Sequence, residues 1–166
     1  MLRMLIAVDG SELALDGVRH GLELVRRGLG ATLVLAHVQE PATLYELATQ
    51  DADLIASASV EAGQHLMAPA IALIEAAGVP YETEVGLGEV APTLVDMAER
   101  CGCEMLVIGA RGQGAISSAL LGSVSQEVVH LSPVPVTIVK HPEAPELLEE
   151  DAENAMDTQP DHPSSA

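Results

Sequence analysis

Residues Glu104–Ser123, EMLVIGARGQGAISSALLGS, place four glycines after an apolar run and close on Gly-Ser. The stretch reads as a buried strand (Glu104–Gly109), a long loop of small residues, and the start of a helix at Ser123. Ser123 with Gln126 fits a capping box, and that helix is expected to run to Leu131. A loop leaving the carboxyl end of a strand and entering a helix is a natural anion site. Backbone N–H groups without intrahelical partners and the positive end of the helix dipole both face the incoming charge. Gly109 and Gly112 allow a sharp turn out of the strand, Gly122 allows close approach of a phosphate, and Ser123 and Ser125 add hydroxyls. The pattern is not a P-loop, since Gly-Lys-Ser/Thr is absent. Nor is it the dinucleotide fingerprint, whose glycines follow the first strand.

Outward from this stretch, strand and helix alternate along the chain. MLRMLIAV (Met1–Val8) reads as a buried strand ending at Asp9-Gly10. Ser11 then caps a helix whose stripe is Ala14, Val18, Leu22, Val25 and Leu29, ended by Gly28 and Gly30. ATLVLAHV (Ala31–Val38) is continuously apolar, as suits a sheet covered on both faces. Gln39–Ala52 is irregular, a loop or a short helix. A long helix is expected from Asp53 to Ala77 with Ala58, Ala62, Leu66, Leu73 and Ile74 inward. Pro69 within it costs ~3 kcal/mol or forces a kink, so two helices are the alternative. PYETEV (Pro80–Val85) is a short alternating strand. GLGE introduces a helix over Glu89–Cys101, with Pro92 in the first turn where its missing N–H costs little. Gly102 stops that helix. Pro133 and Pro135 bracket the exit from the last helix, and VPVTIV (Val134–Val139) is the fifth strand.

Five alternations predict an α/β fold, a parallel sheet with helices on both faces and right-handed crossovers. Such sheets take ligands at the carboxyl ends of their strands, at the switch point of strand order. Those ends are Asp9-Gly10, His37-Val38, Gly86–Gly88 and Gly109–Gly122. His37 is the one histidine expected near them, and a lone histidine there is more often packed or hydrogen-bonded than catalytic. Asp9 has a plain alternative role, capping the first helix with Ser11. Val38 and Ile108 would be core residues in any related fold, and Ser117 and Ser118 need be no more than loop polarity.

The 166 residues suit one domain, 48% hydrophobic and 19% charged. Net charge is −18, from 25 acidic against 7 basic residues. Eight of those acids (Glu143, Glu146, Glu149, Glu150, Asp151, Glu153, Asp157 and Asp161) lie in residues 141–166, which hold no Lys or Arg and are expected to be a disordered, solvating tail. Residues 1–140 still carry a net −10. That field argues against nucleic acid and anionic membrane surfaces as partners. No apolar run approaches a bilayer span and no basic-then-apolar leader opens the chain, so a cytoplasmic protein is expected. Cys101 and Cys103 form neither a four-ligand zinc set nor a Cys-x-x-Cys motif, and read as small apolar residues at a helix-to-strand junction. There is no Phe or Trp, and Tyr45 and Tyr81 are the two tyrosines, so a flat ligand must lie between aliphatic side chains.

Gly109-Ala110-Arg111-Gly112, nine residues, then Gly122-Ser123 matches the G-x-x-G-x9-G-[ST] motif of the universal stress protein family. MLRMLIAVDGSELA, LVLAHV, GLGEVAPTLVDMAERCGCEMLVIGARG and SPVPVTIVK extend the resemblance over residues 1–140, excluding the tail. It implies a three-layer α/β/α sandwich, adenine nucleotide alpha hydrolase-like, whose five-stranded parallel sheet has the order 3-2-1-4-5. It also implies a homodimer through the last strand, Val134–Val139, which would hide an apolar edge. Family members with the complete glycine motif bind ATP, and AMP or ADP would fit the same donors, with Mg2+ to offset the acidity. Carried over, Asp9 and Val38 contact the adenine, with Ala7 and Ile108 as apolar walls. Gly109, Arg111 and Gly112 line the ribose and phosphates, and Gly122, Ser123, Val124 and Ser125 hold the phosphate chain.

The implied function is that of an ATP-binding stress regulator acting through nucleotide-dependent conformation or choice of a protein partner. No nucleophile–base pair or carboxylate dyad marks an enzyme, and slow ATP hydrolysis is the most catalysis expected. The alternatives are an interaction module of the same fold that binds no nucleotide, and a slow ATP hydrolase.

Overall fold

The computed structural model describes residues 1–40, 52–111 and 121–140. In chain order the elements are β1 (Leu2–Ala7), α1 (Glu12–Arg26), β2 (Ala31–Gln39), α2 (Ala52–Ala77), β3 (Tyr81–Leu87), α3 (Val90–Arg100), β4 (Met105–Gly109), α4 (Ser123–Leu131) and β5 (Val136–Val139). The strands form one sheet of order β3-β2-β1-β4-β5, every pair parallel. The implied strand order is the observed one.

Strand alternation decides which layer each residue joins. Met4, Ile6, Val8, Leu33, Leu35 and Val107 face α1 and α2, packing with Val18, Met67, Ala70 and Ile74. Leu5, Ala7, Val34, Ala36, Val38, Leu106 and Ile108 face the other way, onto Leu94, Met97 and Ala98 of α3 and Val128 of α4. β1 is therefore buried on both faces, and each fully buried large aliphatic contributes about 1.5–3 kcal/mol.

Several elements differ from the sequence reading, each for a local reason. α1 is capped as expected, Ser11 Oγ accepting from Ala14 N at 3.1 Å, but it ends at Arg26. Leu29 lies beyond the helix and still packs half-buried on the α1/α2 core. α2 is one continuous helix through Pro69, because His65 and Pro69 sit on its exposed face, where water can satisfy the carbonyl that proline leaves without a donor. Its inward face is Gly63, Met67, Ala70 and Ile74; Ala58, Ala62 and Leu66 are exposed and Leu73 is half-buried. α4 has Gly122, not Ser123, at the cap position, and Gln126 reaches back to the Leu121 carbonyl at 2.8 Å instead of closing a capping box. β5 starts at Val136 rather than Val134, since Pro135 has no N–H for the ladder, although its carbonyl accepts from Leu106 N at 2.9 Å.

At the amino edge of the sheet, Arg3 forks onto Glu82 at 2.9 and 2.7 Å and donates from Nε to the Cys101 carbonyl at 2.7 Å. β1, β3 and the end of α3 are thereby tied across β2. Cys103 is buried in the α3/α4 core and Cys101 is half-buried at the α3 cap, both as free thiols.

Candidate functional site

The strand order reverses between β1 and β4, so their carboxyl ends open the crevice where doubly wound sheets take ligands. Asp9 follows β1 there, and Gly109–Arg111 follow β4. Ala7, Val38 and Ile108 are 8%, 8% and 7% exposed. They share one cluster with the half-buried Val124. The four expected apolar residues thus lie together on the α3/α4 side of the sheet. Register sets Val38 opposite Gly86 and Ile108 opposite Ile138.

Asp9 is half-buried, and its Oδ1 accepts from Ser11 N at 3.0 Å and Ser11 Oγ at 2.6 Å. The carboxylate therefore holds the hydroxyl that caps α1, and is itself oriented by it.

The two glycines flanking the loop differ in why they are glycine. A Cβ on Gly109 would lie 3.1 Å from the Arg111 carbonyl oxygen and 3.3 Å from that of Leu13, backbone atoms with little freedom to yield. Gly109 is demanded by packing. Gly122 has φ −64°, open to any residue, and a Cβ there would meet described atoms no nearer than 3.4 Å. The described fold makes no such demand at 122.

Gly122 N–H donates to the Ala110 carbonyl at 2.8 Å. Ser125, 3% exposed, shares its hydroxyl between the carbonyls of Gly109 at 2.9 Å and Ala110 at 3.2 Å. The Ser125 proton therefore points into the sheet, leaving its backbone amide as its donor to a ligand. Gly122 being the cap, the amides of Ser123, Val124 and Ser125 are the first three of α4 and lack intrahelical acceptors. Ser123 is exposed, while Arg111 is half-buried and already engaged within the chain. Gly112, Ser117 and Ser118 lie outside the described residues. The role of Ala110, whose carbonyl receives both Gly122 and Ser125, has no signal in the sequence, because it depends on where the chain returns after the loop.

His37 lies on the other side of the sheet, 5% exposed, its Nδ1 2.9 Å from the Val8 carbonyl oxygen. It packs rather than lining the crevice. Among the described residues there is no group of three His, Cys, Asp or Glu that could hold a metal ion. No described helix is long and apolar enough to cross a membrane.

Strand order, core and crevice together define a doubly wound α/β protein with its open site at the β1/β4 switch point. Residues 1–140 match the family model described as the universal stress protein family. A universal stress protein of Thermus aquaticus is 33% identical over 141 residues, covering 82% of this chain and 97% of the relative. The solved structure of the protein MJ0577 superposes with a TM-score of 0.71 at 22% identity, covering 86% of this chain and 97% of that one. A universal stress protein solved in complex with cAMP superposes with a TM-score of 0.59 at 25% identity, covering 83% and 95%. The chain belongs to the universal stress protein family.

Proposed function

We propose that this chain binds an adenine nucleotide, ATP foremost, at the switch-point crevice, and acts as a stress-response regulator whose conformation or partner choice follows occupancy. One observation carries the reading: the cap of α4 is a glycine that the described fold does not require, at the place where three helix-terminal amides face the crevice. Close approach of a ligand gives that glycine a reason. The cAMP complex of a family member supports an adenine nucleotide as the ligand. Asp9 and Val38 would take the base against Ala7 and Ile108. The amides of Ser123, Val124 and Ser125, with Gly109, Arg111 and the cap, would take the phosphates. Short-range donors are needed because the net charge repels anions at distance.

The decisive experiment is purification without added nucleotide, denaturation, and ion-pair chromatography of what is released, with ATP and Mg2+ titrated calorimetrically into the stripped protein. With no Trp or Phe, bound adenine would dominate the ultraviolet spectrum. An adenine nucleotide near one per chain, or saturable ATP binding, supports the reading; neither of the two overturns it.

The same proposal extends to assembly: a second copy pairs along the β5 edge, where Val136 and Ile138 are half-buried hydrophobics. Pro135 and Val139 carbonyls bond to β4, so the alternate residues Val136 and Ile138 direct their N–H groups outward. Val136→Pro should convert a dimer to a folded monomer in sedimentation; a wild-type monomer would refute pairing.

A further inference from the structure

Past its last ladder residue, β1 is held to β2 by a side chain. Val8 N–H donates to the Ala36 carbonyl at 2.9 Å, and the Val8 carbonyl is met by His37 Nδ1, also at 2.9 Å. A carbonyl only accepts, so Nδ1 carries the proton, while on the far side of the ring Nε2 lies 3.4 Å from Gln39 Oε1. The ring is buried and α2 closes over it. A Cβ on Gly63 would lie 2.9 Å from His37 Cδ2 and 2.9 Å from Val85 Cγ1, so it is the glycine that lets the helix lie this close to the ring.

The geometry points to His37 as a positioning residue for the nucleotide site, acting from behind the sheet. The Val8 carbonyl and the Asp9 N–H belong to one planar peptide. Fixing the oxygen fixes the plane, and with it the direction in which Asp9 leaves β1 at the switch point. Asp9 in turn is held by Ser11 at 2.6 Å, so the turn is braced on both sides of its Cα. Val38, the next residue of β2, faces the opposite side and belongs to the apolar wall of the crevice. One dipeptide thus supplies the wall and the brace behind it. This role rests on the reading of the crevice as the nucleotide site.

The test uses the full chain, His37→Leu, which removes the donor at similar volume, and His37→Asn, whose amide N–H occupies the place of Nδ1–H. With ATP and Mg2+ in calorimetry, Leu is expected to weaken binding by about tenfold and Asn to restore it to within about threefold of wild type. A through-hydrogen-bond NMR coupling from His37 Nδ1 to the Val8 carbonyl carbon should be present in the unliganded wild type. If both variants bind like wild type, or both lose affinity alike, the ring only packs and the inference is wrong. Should His37→Leu fail to fold, Gly63→Ala presses on the ring from α2 and is expected to weaken binding severalfold, whereas unchanged affinity overturns the proposal. If the wild type shows the coupling but binds no nucleotide, the nucleotide reading has failed and takes the positioning role with it. If it binds nucleotide without the coupling, the positioning role alone is lost.

Discussion

Ser125 Oγ lies 2.9 Å from the carbonyl oxygen of Gly109, so the first turn of α4 is pinned to the last residue of β4 across the whole intervening loop. The hydroxyl is buried, and the acceptor sits at the end of a core strand. Ser125→Ala should cost about 1 kcal/mol, the usual net contribution of a buried neutral hydrogen bond. For a chain of this size that lowers Tm by about 2–4 °C in calorimetry. On the proposed reading nucleotide affinity should fall as well, since among the described residues only the Gly122–Ala110 hydrogen bond would then tie the start of α4 to the end of β4.

The glycines at 109 and 122 should separate stability from binding. Gly109→Ala drives a methyl against two backbone carbonyls and is expected to destabilise by about 1–3 kcal/mol. Gly122→Ala meets only ordinary contacts and should stay within about 1 kcal/mol of wild type. On the proposed reading, binding of ATP to Gly122→Ala should nonetheless weaken by about tenfold or more, because the methyl would stand where a phosphate is to approach the helix amides. Urea unfolding and calorimetric titration of the two variants would settle it; equal stability losses at both sites would refute the distinction.

Acid should loosen the clamp at the amino edge. The Arg3 hydrogen bonds hold the Glu82 carboxyl below the usual carboxylate range. A group lowered in the folded state contributes stability above its unfolded value, and that contribution disappears as pH falls through the folded value. The pair is exposed, so the effect is small and screened by salt. Wild type and Glu82→Gln should therefore differ in urea midpoint at neutral pH and converge under acid.

Alkali should act through Cys103, whose thiol is pushed up to about 11, chiefly by burial and then by the neighbouring Cys101. The folded protein holds that proton longer than the unfolded chain, so stability is complete below the ordinary thiol range and is lost as pH climbs toward 11. Cys103→Ala should flatten this alkaline limb. In thiol titration of the native protein, Cys101 is expected to react before Cys103.

The sheet was legible because β1, β2 and β4 are apolar runs, with Asp9-Gly10 closing the first and Gly109 the last. The phase of α2 was not legible. Ala58, Ala62 and Leu66 repeat as plausibly as Gly63, Met67, Ala70 and Ile74, and a helix apolar on most sides offers no contrast for periodicity to detect. The decisive residue on the true face is Gly63, chosen for its lack of a side chain against His37. The α4 cap misled for a related reason: Ser123 and Gln126 have the spacing of a capping box, yet the helix entry is dictated by Gly122 bonding to Ala110, a partner set by the fold.

The two edges of the sheet have opposite characters. β5 offers Val136 and Ile138, whereas β3 bears Glu82 and Glu84 along its length. Open edges invite strand after strand, and a sheet with two inviting edges could polymerise. With copies paired at β5 as proposed, growth would proceed from one side alone: the pair would present β3 outward at both extremes, each lined by the Glu82–Arg3 and Glu84–Arg100 ion pairs. An assembly built in the proposed way would close at two by the chemistry of its margins, ending what would otherwise be a fibre.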